Sequence, residues 1–329
     1  MGQTVKEEKE IKRRTSNDDN TMTLQQLEYI LALDHFRHFG KAAEHCRVTQ
    51  PTLSAMIQKL EEELDTRIFD RTRQSVSPTP AGRLILGQAR RVLAEAARIK
   101  EMVAEERHAM TGSFTLGILP TIAPYLLPRF FPQLMKRYPQ LDIRVTEMKT
   151  AAIKQTLTDG EIDAGIVAAL DDMGDFAQTP LFYEQFYAYV AREDALFDHE
   201  TIRTADLAGT QLWLLDEGHC FRDQLVRFCQ LKSAQASQLT YHLGSMETFM
   251  RMVEGGKGIT FIPELAISQL NEKQRELVRP FAVPRPTRQI VMITSKDFIR
   301  RTLLDTLRQA VQAAVPADML SPKPTQQII

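Results

Sequence analysis

Residues 36–73 constrain the fold most, because two apolar stripes with helical spacing flank a break at residues 47–51. The apolar positions recur every three or four residues, first at Phe39, Ala42, Ala43 and Cys46, then at Leu53, Ile57, Leu60 and Leu64. Pro51 suits the first turn of a helix, where its missing N–H costs no hydrogen bond. The segment therefore predicts two helices joined by a tight turn, and its small residues allow them to cross closely.

The outward face of the second predicted helix carries short polar side chains of the kind that meet base edges in a DNA major groove. We predict a DNA-reading set of Thr49, Gln50, Pro51, Thr52, Ser54 and Gln58. Arg71 and Arg73 follow in an extended hairpin with turn residues Ser77 and Pro78, which we interpret as a wing that contacts phosphates or the minor groove. An ordinary helical hairpin within a core is the alternative interpretation of this segment.

Overall charge gives no general signal for nucleic acid, since the formal net charge is −1. Residues 22–108 contain 13 Lys and Arg against 12 Asp and Glu, so DNA binding would depend on a local cluster of arginines. No apolar run reaches the length of a membrane span, and residues 1–21 lack the apolar segment of a secretory signal. Three cysteines do not form a secreted disulfide framework, so we expect a cytoplasmic protein.

The rest of the chain predicts an α/β protein with several parts. A long helix over 81–111 carries apolar residues at near-heptad spacing, typical of a helix that pairs with a partner. From Ser113, strands alternate with helices, which favours parallel sheets and, at this length, two lobes with a cleft. The predicted divisions are a disordered tail (1–21), a winged helix–turn–helix domain (22–80), the linker and dimerisation helix (81–111), an α/β domain (112–316) and a second disordered tail (317–329).

Two cysteines, Cys220 and Cys229, lie in the segment GHCFRDQLVRFC. Cys220 follows a predicted strand and a glycine, so it lies near the start of a helix predicted over 219–232, where a thiolate is favoured. On one helix, nine rises of about 1.5 Å place the two Cα atoms roughly 13 Å apart, whereas a disulfide needs about 7 Å or less. The two cysteines are therefore either unrelated or form a switch whose oxidation unwinds the helix. Cys46 lies on the apolar stripe and is predicted to be core.

The spacing of residues predicts neither a metal site nor a glycine-rich phosphate-binding loop. No His, Cys, Asp or Glu pattern has the spacing of a zinc site, so we expect no metal and no cofactor. The glycines around Lys257 precede a strand rather than opening a helix, and we interpret them as a turn.

The segment TLQQLEYILALDHFRHFGKAAEHCRVTQPTLSAMIQKLEEELDTRIFDRT resembles the DNA-binding domain of LysR-type transcriptional regulators. The segments GILPTIAPYLLP, GHCFRDQLVRFC and GKGITFIPELA are similar to those of hydrogen-peroxide sensors within that family. The resemblance covers roughly residues 22–315. It implies an N-terminal winged helix–turn–helix, a long linker helix and a C-terminal two-lobed, periplasmic-binding-protein-like regulatory domain, without enzymatic activity.

The resemblance also implies a site. It makes Cys220 the peroxide-reactive cysteine and Cys229 the resolving cysteine that condenses with the sulfenic acid formed on Cys220. The implied peroxide pocket consists of Thr121, Thr150, His219, Asp223 and Arg288. In that pocket Arg288 would lower the pKa of the thiol and hold the leaving oxygen, while the hydroxyl and carboxyl groups would position the peroxide.

The implied partners are double-stranded promoter DNA, RNA polymerase, hydrogen peroxide and further copies of the chain in a dimer of dimers, with no membrane. Two alternatives stay open at this point. The first is a LysR-type regulator whose cleft binds a small metabolite, with incidental cysteines. The second is a thiol enzyme, such as a cysteine peroxidase, that carries a helical dimer domain.

Overall fold

The computed structural model describes residues 22–71, 76–106, 110–170, 172–216, 220–229 and 245–329. The chain divides into two compact units, Met1–Lys100 and Glu101–Ile329. The predicted tail 1–21, the predicted wing residue Arg73 and the predicted pocket residue His219 lie outside the described residues.

The first unit contains the predicted helix–turn–helix. Its helices are α1 (Leu24–Phe36), α2 (Phe39–His45) and α3 (Gln50–Glu63). Each begins at a side-chain cap, because Thr23, His38 and Thr49 accept hydrogen bonds from backbone N–H groups of the first turn. The buried faces of the three helices meet in one core.

Most of the two predicted apolar stripes form this core, including Ala42, Ala43, Leu53, Ile57 and Leu60. The prediction that Cys46 is a core residue needs correction, because this side chain is only half-buried. Leu64 is likewise 37% exposed. Both residues are the C-caps of their helices, where the chain turns away from the packed face.

The wing is a short antiparallel pair, β1 (Phe69–Asp70) and β2 (Ser77–Pro78). The prediction of a turn at Ser77 and Pro78 is therefore wrong, since both residues belong to the returning strand. The backbone then passes very close to Ile68, where a Cβ on Gly82 would lie 2.0 Å from the Ile68 carbonyl oxygen. Only glycine fits this position without a shift of the backbone.

The long helix α4 spans Pro80–Glu106. One side packs on the first core through Leu86 and Ala89, which are each 2% exposed. Leu84 and Ile99 on the same helix are 78% and 67% exposed, in keeping with the predicted apolar seam that awaits a partner.

The described residues of the second unit form fourteen further helices and strands, six in its first part and eight in its second. Those up to the middle of the chain are β3 (Gly112–Ile118), α5 (Ala123–Arg137), β4 (Leu141–Glu147), α6 (Thr150–Thr158), β5 (Ala164–Ala168) and β6 (Phe176–Val190). Those that follow are α7 (Cys220–Phe228), α8 (Met246–Glu254), β7 (Ile259–Pro263), α9 (Glu272–Arg275), β8 (Val278–Pro280), β9 (Arg285–Ser295), α10 (Arg301–Ala314) and β10 (Gln326–Ile328).

The long strand β6 joins two lobes. Its first part pairs with β9, which continues to β5, β3 and β4, while its last residues pair with β7 and β8. A register shift between Pro180 and Phe182 interrupts the β6–β9 ladder. The structure confirms the predicted α/β class with a winged helix–turn–helix, a long helix and a two-lobed domain. The expectation of parallel sheets is only partly right, since β5 and β6 both run antiparallel to β9.

Other parts of the second unit are less regular. Residues Glu264–Gln269 form a 3₁₀ turn, which ends before the short helix α9. Leu212 pairs with β7 as one isolated bridge. Helix α7 ends at Phe228, and residues 230–244 lie outside the described part of the chain.

The C-terminal segment is not the predicted disordered tail. Residues Gln326–Ile328 form β10, which adds in parallel to β9 at Arg285–Thr287. The Ile329 N–H donates to the Thr287 carbonyl oxygen at 3.0 Å, and Met319 is 2% exposed. The polar composition of this segment gave no signal because the pairing is made by its backbone.

Candidate functional site

Cys220 is the first residue of α7 and is 6% exposed. Its side chain belongs to the core of the second unit rather than to its surface. Phe221, the next residue, packs against Phe186 of β6 with ring centroids 4.7 Å apart. The start of α7 is thereby anchored on the strand that joins the two lobes.

The pKa of the Cys220 thiol is raised above its ordinary value, because burial disfavours the thiolate. The Arg288 guanidinium lowers this pKa, as do the Thr150 side chain and the Phe221 backbone, whereas the charge of Asp223 raises it further. Arg288 thus acts in the expected direction, but burial outweighs it. Arg288 and Thr150 therefore favour the thiolate, while burial opposes it.

Thr150, the first residue of α6, is 7% exposed. Its hydroxyl lies close enough to the Cys220 sulfur to lower the pKa of the thiol. Within the described part of the chain, however, Thr150 Oγ1 makes no hydrogen bond of good geometry. A buried hydroxyl without a partner costs free energy unless a small ligand completes it.

Arg288 on β9 is fully buried, with an exposed fraction of 0%. Its Nη1 donates to Thr121 Oγ1 at 3.0 Å, and its Nη2 donates to the Thr121 carbonyl oxygen at 3.1 Å. The same guanidinium donates twice to Glu184 on β6 and stacks over the Phe221 ring at 4.9 Å. Three distant parts of the sequence therefore fix one cation beside Cys220.

Asp223, one turn further along α7, has a side chain that is 45% exposed and lies 3.5 Å from the Arg222 guanidinium. Together with Cys220 and Thr150 it lines a pocket of about 540 Å³ between α6 and α7. Lys154 and Arg227 also line this pocket. Charged, polar and apolar side chains thus line a pocket that reaches the buried thiol and is large enough for a small molecule.

Cys229 follows the last residue of α7 and is also 6% exposed. Burial raises the pKa of its thiol to about 12. The Cys229 N–H donates to the Leu225 carbonyl oxygen at 2.9 Å, which continues the helical hydrogen bonding to the second cysteine. Both cysteines are free, and nine helical rises place their Cα atoms roughly 13 Å apart.

The described structure brings together Thr121, Thr150, Cys220, Asp223 and Arg288 from the predicted pocket. Sequence reasoning missed Glu184, because a carboxylate on a largely apolar strand carries no motif. It also missed Gln224, which is 3% exposed and donates from Nε2 to the Ile329 carbonyl oxygen at 2.6 Å. For Glu184 the available signal was an acidic residue within a largely apolar strand.

The predicted DNA-reading residues lie at the start and along one side of α3. Gln50, Pro51, Thr52 and Gln58 are exposed and Ser54 is half-buried. Thr49 is the N-cap of the helix, so its hydroxyl is already engaged with Thr52.

Arg71 is held by its own domain. Its Nη2 lies 2.7 Å from Glu61 Oε2, and its guanidinium lies 5.4 Å from the centre of the Phe39 ring. Glu61 also accepts the backbone N–H groups of Ile68 and Phe69. The wing arginine is therefore fixed in direction, with a side chain that is still 37% exposed.

Neither metal nor membrane features occur in the parts of the chain that the structure describes. No cluster of three or more His, Cys, Asp or Glu residues there could hold a metal ion. None of the helices described has both the length and the apolar character needed to cross a bilayer.

Comparison with known families assigns both parts of the chain. Residues 24–83 match the family described as "Bacterial regulatory helix-turn-helix protein, lysR family". Residues 107–316 match the "LysR substrate binding domain". The chain therefore belongs to the LysR family, whose members are transcriptional regulators rather than enzymes, and the alternative of a thiol enzyme is wrong.

Named relatives within this family are similar over nearly their whole length. The chain is 35% identical over 292 residues to the "DNA-binding transcriptional dual regulator OxyR" of Escherichia coli K12, covering 89% of this chain and 95% of that one. It is 36% identical over 296 residues to the "Hydrogen peroxide-inducible genes activator" of Haemophilus influenzae, covering 89% and 97%.

Solved structures of OxyR proteins are also similar to this chain. A full-length OxyR variant from Pseudomonas aeruginosa is 34% identical with a TM-score of 0.73, covering 89% of this chain and 98% of that one. OxyR from Porphyromonas gingivalis is 48% identical with a TM-score of 0.62, covering 66% and 99%.

Proposed function

We propose that this chain is a DNA-binding transcriptional regulator that senses hydrogen peroxide through Cys220 and controls oxidative-stress genes. The main support is that the buried thiol of Cys220 lies beside the Arg288 cation and the unpartnered Thr150 hydroxyl, while Cys229 directly follows the same helix, too far away to form a disulfide. The names of the relatives support the same function. No cofactor is needed, because the peroxide itself is the oxidant.

The first step is attack of the Cys220 sulfur on one peroxide oxygen. The O–O bond breaks, the far oxygen leaves as hydroxide and takes up the thiol proton to become water, and Cys220 becomes a sulfenic acid. Thr150 Oγ1 is placed to hydrogen-bond the incoming peroxide, and Arg288 with Thr121 supports the negative charge that develops on the leaving oxygen. Asp223 and the predicted residue His219 would relay the proton.

The second step is attack of the Cys229 sulfur on the Cys220 sulfur. The S–O bond breaks, a second water leaves, and a disulfide forms, so that two thiols give two electrons to one peroxide. A separation of roughly 13 Å along the helix must fall to about 7 Å or less. Closure therefore requires α7 to unwind, which converts a chemical event into a change of fold.

The family and the exposed apolar residues of α4 support further partners, namely a second copy of the chain, promoter DNA and RNA polymerase. We propose that α4 pairs with a second copy through residues such as Leu84 and Ile99, and that two dimers bind adjacent half-sites of promoter DNA. Refolding near α7 would change the half-site spacing and the contact with RNA polymerase. The compartment we propose is the cytoplasm.

The decisive variant is Cys220→Ser, with Cys46→Ser as the matched control in the other unit. We expect peroxide to change promoter binding and transcription in the parent chain and in Cys46→Ser, but not in Cys220→Ser. If Cys220→Ser still responds to peroxide at the promoter, the proposed function is overturned.

A metabolite-responsive regulator is the second candidate, because the pocket beside Cys220, of about 540 Å³, is in the size range of small-molecule sites. That function predicts that Cys220→Ser retains a normal response to its effector and that peroxide has no specific effect on the parent chain.

DNA binding has its own test. Arg71→Ala should weaken binding on all sequences and reduce the slope of log affinity against log salt by about 1, as loss of one phosphate contact does. Gln50→Ala should instead relax the sequence preference. A loss of affinity at one base position only in Arg71→Ala would contradict the phosphate role.

A further inference from the structure

Glu184 is an acidic side chain buried in the second unit, with an exposed fraction of 2%. Its Oε2 accepts two hydrogen bonds from Arg288, one from Nε at 2.9 Å and one from Nη2 at 2.7 Å. Its Oε1 accepts the Leu265 backbone N–H at 3.2 Å. Both oxygens of the carboxylate are therefore engaged.

One N–H group of the Arg288 guanidinium is left without a hydrogen-bond partner among the described residues. A guanidinium has five N–H donors. Two are taken by Glu184 and two by Thr121, through its hydroxyl and its carbonyl oxygen. The fifth, on Nη1, has no partner among the described residues. Because four bonds fix the plane of the group, the direction of the remaining N–H is fixed as well.

The ion pair also sets the charge near the thiol. An unpaired buried cation would stabilise the Cys220 thiolate strongly, but an adjacent carboxylate offsets most of that field at a distance. The charge of Asp223 on α7 also acts on the thiol, and Lys154 and Arg227 line the same pocket. Burial raises the pKa of the Cys220 thiol and the Arg288 guanidinium lowers it, so the charge balance around Arg288 bears on the thiol.

We propose that Glu184 is a positioning residue for the cysteine chemistry, which fixes the Arg288 guanidinium in one orientation and offsets its charge. This inference rests on the proposed function, in that Cys220 is the reacting residue. Its consequence is selectivity: the thiol is slow with general electrophiles and gains reactivity only with a reactant that bonds to the spare donor and to Thr150.

The test measures alkylation of Cys220 by iodoacetamide as a function of pH, followed by peptide mass in the full chain. Glu184→Gln keeps the shape and removes the charge. We expect its Cys220 profile to move to lower pH, with alkylation at pH 7 about tenfold faster, as a pKa lowered by about one unit requires. Cys46 in the other unit is the internal reference and should not change.

The matched control is Glu264→Gln. Glu264 is a neighbouring half-buried carboxylate that accepts the Gln185 backbone N–H at 3.1 Å and has no hydrogen bond to Arg288 among the described contacts. In Glu264→Gln the rate of Cys220 alkylation should depend on pH as it does in the parent chain. An unchanged profile in folded Glu184→Gln, or an equal shift in both variants, overturns the proposal.

Glu184→Asp covers the case in which Glu184→Gln does not fold. It keeps the charge but withdraws it from Arg288, so we expect the alkylation profile of the parent chain together with slower oxidation of Cys220 by peroxide. A shifted profile, or unchanged peroxide oxidation, contradicts the proposal. Alkylation needs no peroxide, so failure of the proposed function appears separately, as a parent chain whose Cys220 is not oxidised.

Discussion

If α7 unwinds before the disulfide closes, Leu225→Ala should speed disulfide closure by an amount that can be calculated. Leu225 lies between the two cysteines, is 0% exposed and accepts the Cys229 N–H through its carbonyl oxygen. Truncation of a buried leucine costs about 2 to 5 kcal/mol. If α7 must leave its packed position before the disulfide closes, the lower figure alone speeds closure about 30-fold, at 1.36 kcal/mol for each factor of ten.

The matched control is Leu303→Ala on α10, a residue of the same core that is 1% exposed and far along the chain from α7. It should lower global stability by a similar amount without releasing α7. The assay follows conversion of the Cys220 sulfenic acid to the disulfide by rapid quench and mass spectrometry. Equal closure rates in the two variants, or no acceleration in Leu225→Ala, would refute the reasoning.

Three further predictions test other parts of the account. Gly82→Ala should destabilise the first unit by about 1 to 3 kcal/mol, as overpacking does, whereas Gly87→Ala, with open space around its Cβ, should be neutral or stabilising in thermal unfolding. Burial raises the pKa of Cys229 from 9.0 to about 12, so its contribution to stability is present below pH 9 and is lost between pH 9 and 12. Over that window the free energy of unfolding in urea should fall by up to about 4 kcal/mol more for the parent chain than for Cys229→Ala. Deletion of residues 326–329 removes the hydrogen bond to Gln224 and should speed disulfide closure about fivefold, the equivalent of about 1 kcal/mol; an unchanged rate would show that β10 does not brace α7.

Local patterns in the sequence were enough for the elements that depend on them. The stripes through Ala42 and Leu53 predict the helix–turn–helix because the helical period of each stripe is visible within one short segment. Helix α7 was likewise predicted, and its length keeps Cys220 and Cys229 apart.

Features that depend on distant partners were beyond this reasoning. Glu184 acquires its role only when β6 and β9 pair and bring Arg288 to it. The strand β10 forms because β9 has an open edge at Arg285–Thr287, which no composition reveals. The raised pKa of Cys220 also needs the fold, since it depends on how much of the protein surrounds the sulfur.

The most direct test of the account treats the full-length protein with one equivalent of hydrogen peroxide and measures cysteine linkage and amide hydrogen exchange in the same sample. The account predicts a Cys220–Cys229 disulfide together with loss of exchange protection across residues 220–229, while α10 keeps its protection. A disulfide that forms with α7 still protected, or oxidation that leaves Cys229 a free thiol, would contradict it.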